Sequence, residues 1–139
     1  NELKHTLSCA KMRDETIAAV AKGKNMKDGM PEFFEVTARE INYALRDSVD
    51  EICAVIKSVL EITPPELVKD ITDDGIFLCG GLSNMYGLDK YISEATGINV
   101  HIPGNTTDAA ALGCLRALSE ENYLKQNSYH FVTLETLNL

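Results

Sequence analysis

The residues of this chain best suited to chemistry lie in one run, Gly75-Ile76-Phe77-Leu78-Cys79-Gly80-Gly81-Leu82-Ser83-Asn84-Met85-Tyr86-Gly87-Leu88. A short apolar stretch stops at a glycine pair and restarts as a helix, which predicts a strand, a tight turn and a helix. Glycine lets backbone come within contact distance of a flat or anionic ligand, because no Cβ intervenes and positive φ carries no penalty. In open α/β sheets, ligands dock at the carboxyl ends of strands. A glycine pair can also do no more than shape such a turn, and Met85 and Tyr86 serve equally well as packing residues on a first helical turn.

The other reactive side chains are scattered. Cys79 ends the apolar run beside the glycines, where a helix N-terminus could hold a thiolate. No histidine or acid stands next to it in sequence, and free cysteine is among the most buried residue types, so a buried structural thiol is the expectation. Cys9, Cys53, Cys79 and Cys114 form no CxxC pair and no Cys/His zinc spacing, and they read as reduced thiols of a cytoplasmic protein. His5 and His130 have no partners at metal spacing, and His101 reads as a surface or satisfied histidine. The acidic pairs Asp73-Asp74 and Glu120-Glu121 read as solvated turn and helix-end charges rather than a cation site. No metal ligand is assigned.

Composition narrows the function classes. The 139 residues carry 13 Lys and Arg against 21 Asp and Glu, a net charge of -8 that argues against a nucleic-acid groove. No apolar run approaches the roughly 20 residues of a membrane span, and no basic-then-apolar leader opens the chain. The start at Asn1, without Met or a helix cap, predicts an excised fragment.

The elements that must position the glycine turn are legible along the chain. Leu3 and Leu7 give a short helix within residues 2 to 10. Residues 15 to 24 and 32 to 36 predict a β-hairpin around the turn-rich Asn25 to Pro31. Thr37-Ala38-Arg39-Glu40 is a capping box. It opens a helix of about six turns, with Ile41, Leu45, Ile52, Ile56, Val59 and Leu60 as its buried stripe. Thr63-Pro64-Pro65-Glu66 ends that helix and starts a short one. The strand Ile76 to Cys79, apolar throughout, predicts cover on both faces. Leu88 to Thr96 is a helix closed by Gly97, and Ile98 to Ile102 a second strand, parallel to the first through a crossover. Thr106 or Thr107 caps a final helix of small residues, Ala109 to Leu118. The segment 119–139, with an apolar alternation near Phe131 to Leu134, receives no role.

Residues Thr37 to Leu118 resemble the C-terminal part of the MreB/Mbl family, the bacterial actin-like rod-shape proteins. The matching motifs occur in the family's order: Ser58-Val59-Leu60-Glu61, Thr63-Pro64-Pro65-Glu66-Leu67, Asp70-Ile71, Gly75-Ile76, Gly80-Gly81, Gly87-Leu88-Asp89, Ile92-Ser93-Glu94 and Ala111-Leu112-Gly113. Residues 1–36 are similar, more loosely, to the family's small upper subdomain, with Leu3-Lys4 at its Ile-Lys pair. Two departures stand out: Leu82 replaces a third glycine, and Asn1 stands where the family often has an acidic residue; Asn84-Met85-Tyr86, for its part, looks more like eukaryotic actin.

The resemblance implies an α/β fold, one half of an actin-like (ribonuclease H-like) ATPase. A short parallel or mixed sheet flanked by helices would occupy 37–118, a hairpin-containing piece of the small subdomain 1–36, and a tail 119–139. It implies an adenosine site at Lys4, Gly80, Gly81, Leu82, Met85 and Tyr86, in which Gly81 and the apolar side chains supply floor and wall and Lys4 closes the slot. The parent would bind ATP or ADP with Mg²⁺, act as a slow ATPase, and form head-to-tail filaments in cell-shape determination, with cell-shape complex proteins as further partners. The family's phosphate loops lie upstream of the matched region, so this fragment is expected to be inactive alone, and membrane association would use regions outside it. The rival readings are a sugar kinase or chaperone-like member of the same superfamily, a thiol enzyme using Cys79, and an interaction module with no ligand.

Overall fold

The computed structural model describes residues 2–13 and 17–120. Its elements are α1 (Glu2–Leu7), β1 (Ala18–Lys24), β2 (Pro31–Thr37), α2 (Ala38–Ile62), α3 (Pro65–Asp74), β3 (Ile76–Phe77), α4 (Leu88–Thr96), β4 (Val100–His101) and α5 (Ala109–Ser119), with a 3-10 turn at Gly81–Asn84.

β1 and β2 pair antiparallel, Val20 opposite Glu35 and Lys22 opposite Phe33. The loop between them is Asn25 to Met30, one residue shorter than expected, because Pro31 already pairs with Lys24. Asn25 Oδ1 accepts the Lys27 N–H at 2.8 Å and Asp28 Oδ1 the Met30 N–H at 2.9 Å, so these side chains stand in for backbone partners in the turn.

The capping box forms. Thr37 Oγ1 accepts the Glu40 N–H at 3.3 Å, while the Glu40 carboxylate accepts the Thr37 N–H at 2.9 Å. The helix it opens runs 25 residues, about seven turns at 3.6 residues each. Its fully buried positions are Ala38, Val49 and Cys53, not the expected stripe. Ile41, Leu45, Ile52, Ile56 and Leu60 are half-buried and Val59 is exposed. The reason is where α4 packs: Leu88 and Ile92 meet α2 at Val49 and Cys53, and Ala10 completes that cluster. A second cluster, Leu7, Cys9 and Ala38, joins α1 and the hairpin to the start of α2.

β3 and β4 are parallel, Ile76 opposite Val100 and Phe77 opposite His101, with α4 between them in sequence. The predicted four-residue strand contracts to two, although the Leu78 N–H still donates to the His101 carbonyl at 2.9 Å. The expectation of cover on both faces is corrected as well. Leu78 packs into the main cluster, whereas Phe77 is 67% exposed and lies tilted against the His101 ring, centroids 5.1 Å apart. Cys79 follows Phe77 into the open and is exposed, not buried, because α2 and α4 cover a single side of this pair of strands.

α4 ends as read: Gly97 adopts a left-handed conformation and donates its N–H to the Ser93 carbonyl at 2.8 Å. α5 starts differently. Asp108 is the N-cap residue, without a side-chain capping bond, and Thr106 is engaged elsewhere. The apolar side chains Leu112, Leu115 and Leu118 of α5 are exposed among the described residues. The alternation at Phe131 to Leu134 lies outside the described residues.

Candidate functional site

The turn after β3 is built from two glycines with different duties. Gly80 has φ +89°, a conformation that side-chain-bearing residues rarely adopt, and its N–H donates to the Thr106 carbonyl at 2.7 Å. Its own carbonyl accepts the Ser83 hydroxyl at 2.6 Å, which tightens the following 3-10 turn. Gly80 is therefore a requirement of the fold. Gly81 has no positive φ, and a Cβ placed on it would meet no atom within 4 Å. The backbone here is bare toward open space rather than toward a packed neighbour.

That space is a groove of about 470 Å³, lined by His5, Ser8, Leu45, Gly81, Leu82, Asn84 and Met85. The volume lies within the roughly 300–1,000 Å³ typical of small-molecule sites. Leu45, Leu82 and Met85 make the lining mainly apolar, and Met85 also packs against the main core cluster, which anchors that wall. A mainly apolar lining without a basic side chain among Leu45, Gly81, Leu82 and Met85 suits a heteroaromatic ring better than a phosphate chain.

Of the six residues expected at the site, Gly81, Leu82 and Met85 line this groove together. Gly80 stands behind it as the hinge of the turn. Tyr86 is placed differently: the Arg13 guanidinium lies over its ring, 4.4 Å from the centroid, and its carbonyl accepts the Ala10 N–H at 2.9 Å. Tyr86 thus ties the segment after α1 to the turn, and the Arg13 contact occupies one face that a ligand ring would need. Lys4 belongs to α1, next to His5, and its side chain lies outside the described residues.

Three groove residues escaped sequence reasoning. His5 and Ser8 come from α1 and its exit, and Leu45 from a turn of α2 assigned to the core. Leu45 is half-buried, which leaves part of its side chain for the groove, and its place in the apolar periodicity of α2 gave no sign of that.

The remaining titratable groups near these elements serve the scaffold. Burial pushes the Cys9 thiol above its ordinary value against the opposing pull of Arg13, and burial with nearby Asp50 does the same to Cys53. A second depression of about 380 Å³, between α2 and α4, contains Asp50, Lys57, Tyr91 and Glu94. There the Tyr91 hydroxyl donates to Asp50, a bond that raises the Tyr91 pKa, and Glu94 pairs with Lys11. These contacts fix α4 against its neighbours. Among the described residues, no group of three or more His, Cys, Asp or Glu could hold a metal ion, and no helix is long and apolar enough to cross a membrane.

The sequence and the fold both have known relatives. The profile of the MreB/Mbl protein family matches residues 1–126. The cell shape-determining protein Mbl of Bacillus subtilis is 39% identical over 92 residues, 66% of this chain and 28% of its own length. The cell shape-determining protein MreB of Escherichia coli K12 is 33% identical over 116 residues, 84% of this chain and 33% of its own length. The chain therefore spans about a third of the length of these curated relatives. Among solved structures, MreB5 of Spiroplasma citri bound to ADP superposes with a TM-score of 0.81 at 22% identity, covering 93% of this chain and 39% of that one. The AMPPNP-bound form gives 0.80 at 23% identity, covering 92% and 38%.

Proposed function

Because the chain belongs to the MreB/Mbl family, we propose that it supplies the adenosine-binding side of the nucleotide cleft in an actin-like filament protein of cell-shape determination. The observation that carries this reading is Gly81. The fold does not need a glycine there, since its φ is not positive and a Cβ would meet no neighbour, whereas a purine lying against a turn that lines the groove gains from bare backbone. The S. citri MreB5 structures bound to ADP and AMPPNP support the ligand class. We assign residues 37–118 to the nucleotide-binding subdomain and 1–36 to the small upper one.

The residues present fit the base and ribose of ATP or ADP. Leu45, Leu82 and Met85 offer apolar walls, Gly81 offers bare backbone, and Lys4 on α1 is the side chain we assign to close the slot. Mg²⁺ and the phosphates are assigned to other parts of the parent protein, because phosphoryl transfer rests on metal-stabilised charge and on a positioned water. Within this chain the chemical task is to bind and orient. In the parent, nucleotide would favour a closed arrangement that stacks subunits head to tail, through an interface that yields an open filament.

Photolabelling tests the placement. An 8-azido-adenine nucleotide, added to the natural protein that contains this chain, should label peptides bearing Leu82 to Met85 or α1, and excess ATP should suppress the label. Labelling confined to other segments, or insensitive to ATP, would refute the assignment. A total lack of saturable nucleotide binding would favour a ligand-free interaction module.

A further inference from the structure

One residue of the loop after β4 holds the glycine turn from behind. Thr106 is only 6% exposed, accepts the Gly80 N–H on its carbonyl at 2.7 Å, and donates its hydroxyl to Asn84 Oδ1 at 3.0 Å. Asn84 itself is exposed and lines the groove with Gly81, Leu82 and Met85. A carboxamide whose oxygen is already engaged still has two N–H donors on its nitrogen. The mainly apolar groove therefore has in its lining a donor group whose carbonyl oxygen is held by the hydroxyl of a buried threonine.

We propose that Asn84 is a specificity-determining residue of the slot, donating from Nδ2 to an acceptor on the bound adenosine, and that Thr106 is the positioning residue that fixes its carboxamide. The proposal rests on the adenosine reading above and deepens it. Apolar walls hold a ring by area and leave its rotation within the slot nearly free. One fixed donor selects the orientation that brings a purine ring nitrogen or a ribose oxygen opposite it, and a nucleoside without that acceptor leaves the donor unmatched. Thr106 couples this selection to the turn, because the same residue bonds Gly80 through its carbonyl and Asn84 through its hydroxyl.

Calorimetric titration of ATP into the natural protein containing this chain provides the test, with thermal melts to confirm folding of each variant. Asn84→Leu should weaken ATP about threefold to tenfold, the range expected for one hydrogen bond, and Asn84→Asp, which has no donor, should weaken it at least as much. Thr106→Val should reproduce the Asn84→Leu loss, and Thr106→Ser, which keeps the hydroxyl, should restore wild-type affinity. Among 1-deaza, 3-deaza, 7-deaza and deoxyribose analogues of ATP, the one lacking the matched acceptor should bind wild type and Asn84→Leu equally. Wild-type affinity in Asn84→Leu and Asn84→Asp, alongside lost binding in Gly81→Val, would overturn the proposal and leave the slot standing. Wild-type affinity in Gly81→Val would remove the slot and the proposal with it.

Discussion

The backbone N–H of Gly80 lies 2.7 Å from the carbonyl oxygen of Thr106, so the turn after β3 and the loop after β4 form one unit although 26 positions separate the two residues in sequence. The bond depends on Gly80 keeping φ +89°. Gly80→Ala should destabilise the protein by about 1–3 kcal/mol, the penalty for placing an L-residue at positive φ with extended ψ, a region essentially reserved for glycine, read as a lower denaturation midpoint with unchanged m-value. Gly81→Ala, free of that penalty and with open space around its Cβ, should leave the unfolding free energy within about 0.5 kcal/mol of wild type.

The capping box at the start of α2 should show itself in pH dependence. The Thr37 N–H, and then its hydroxyl, hold the Glu40 carboxyl below its ordinary pKa. A carboxyl depressed in the folded state stabilises above its unfolded value and loses that contribution as pH falls through the folded one. The stability difference between wild type and Glu40→Gln should therefore be largest near neutrality and vanish in acid, as urea titrations at several pH values would reveal. Thr37→Ala, which removes the cap itself, should cost about 1 kcal/mol.

Exposure should sort the four cysteines. Cys79 and Cys114 are exposed, whereas Cys9 and Cys53 are buried with raised pKa values. Alkylation followed by mass spectrometry should modify the first pair well before the second. The informative comparison is Cys79 against Cys114, since both are accessible: similar rates accord with an ordinary surface thiol, and a rate at least tenfold higher at Cys79 would revive the thiol-enzyme reading.

Filament assembly offers a separate test. Met26 is 96% exposed and Met30 65%, both on the loop between β1 and β2, with Phe33 also exposed on the adjoining strand. An exposed apolar hairpin tip is a reasonable element of a subunit contact. Met30→Asp in the natural protein should reduce pelleting assembly while leaving nucleotide affinity unchanged, and unaltered pelleting would remove the hairpin from the interface.

How much of this was legible in the sequence depends on how local each signal is. The Thr37 to Glu40 box, the α4 limits at Leu88 and Thr96, and the parallel pairing of β3 with β4 were all readable, because caps, glycine stops and crossovers are written in adjacent residues. The buried set of α2 was not. Ile41 to Leu60 carries more apolar residues than one face can bury, and only the packing of Leu88 and Ile92 selects Val49 and Cys53. Cys79 and Phe77 escaped for the same reason, since an apolar run does not tell how many of its faces are covered. At the candidate site, Gly81, Leu82 and Met85 were accessible as one contiguous motif. His5, Ser8 and Leu45 reach the groove from distant segments, and the Arg13 contact that diverts Tyr86 spans 73 positions.

The central claim is that Gly81 is bare for a ligand and not for the fold. The most direct measurement is the affinity of the natural protein for ADP, wild type against Gly81→Val, with melting temperatures recorded for both. The account predicts that the variant melts close to wild type and binds ADP at least about tenfold more weakly, as expected when branched methyls occupy space that the ring would fill. Equal ADP affinity in the two proteins would contradict it.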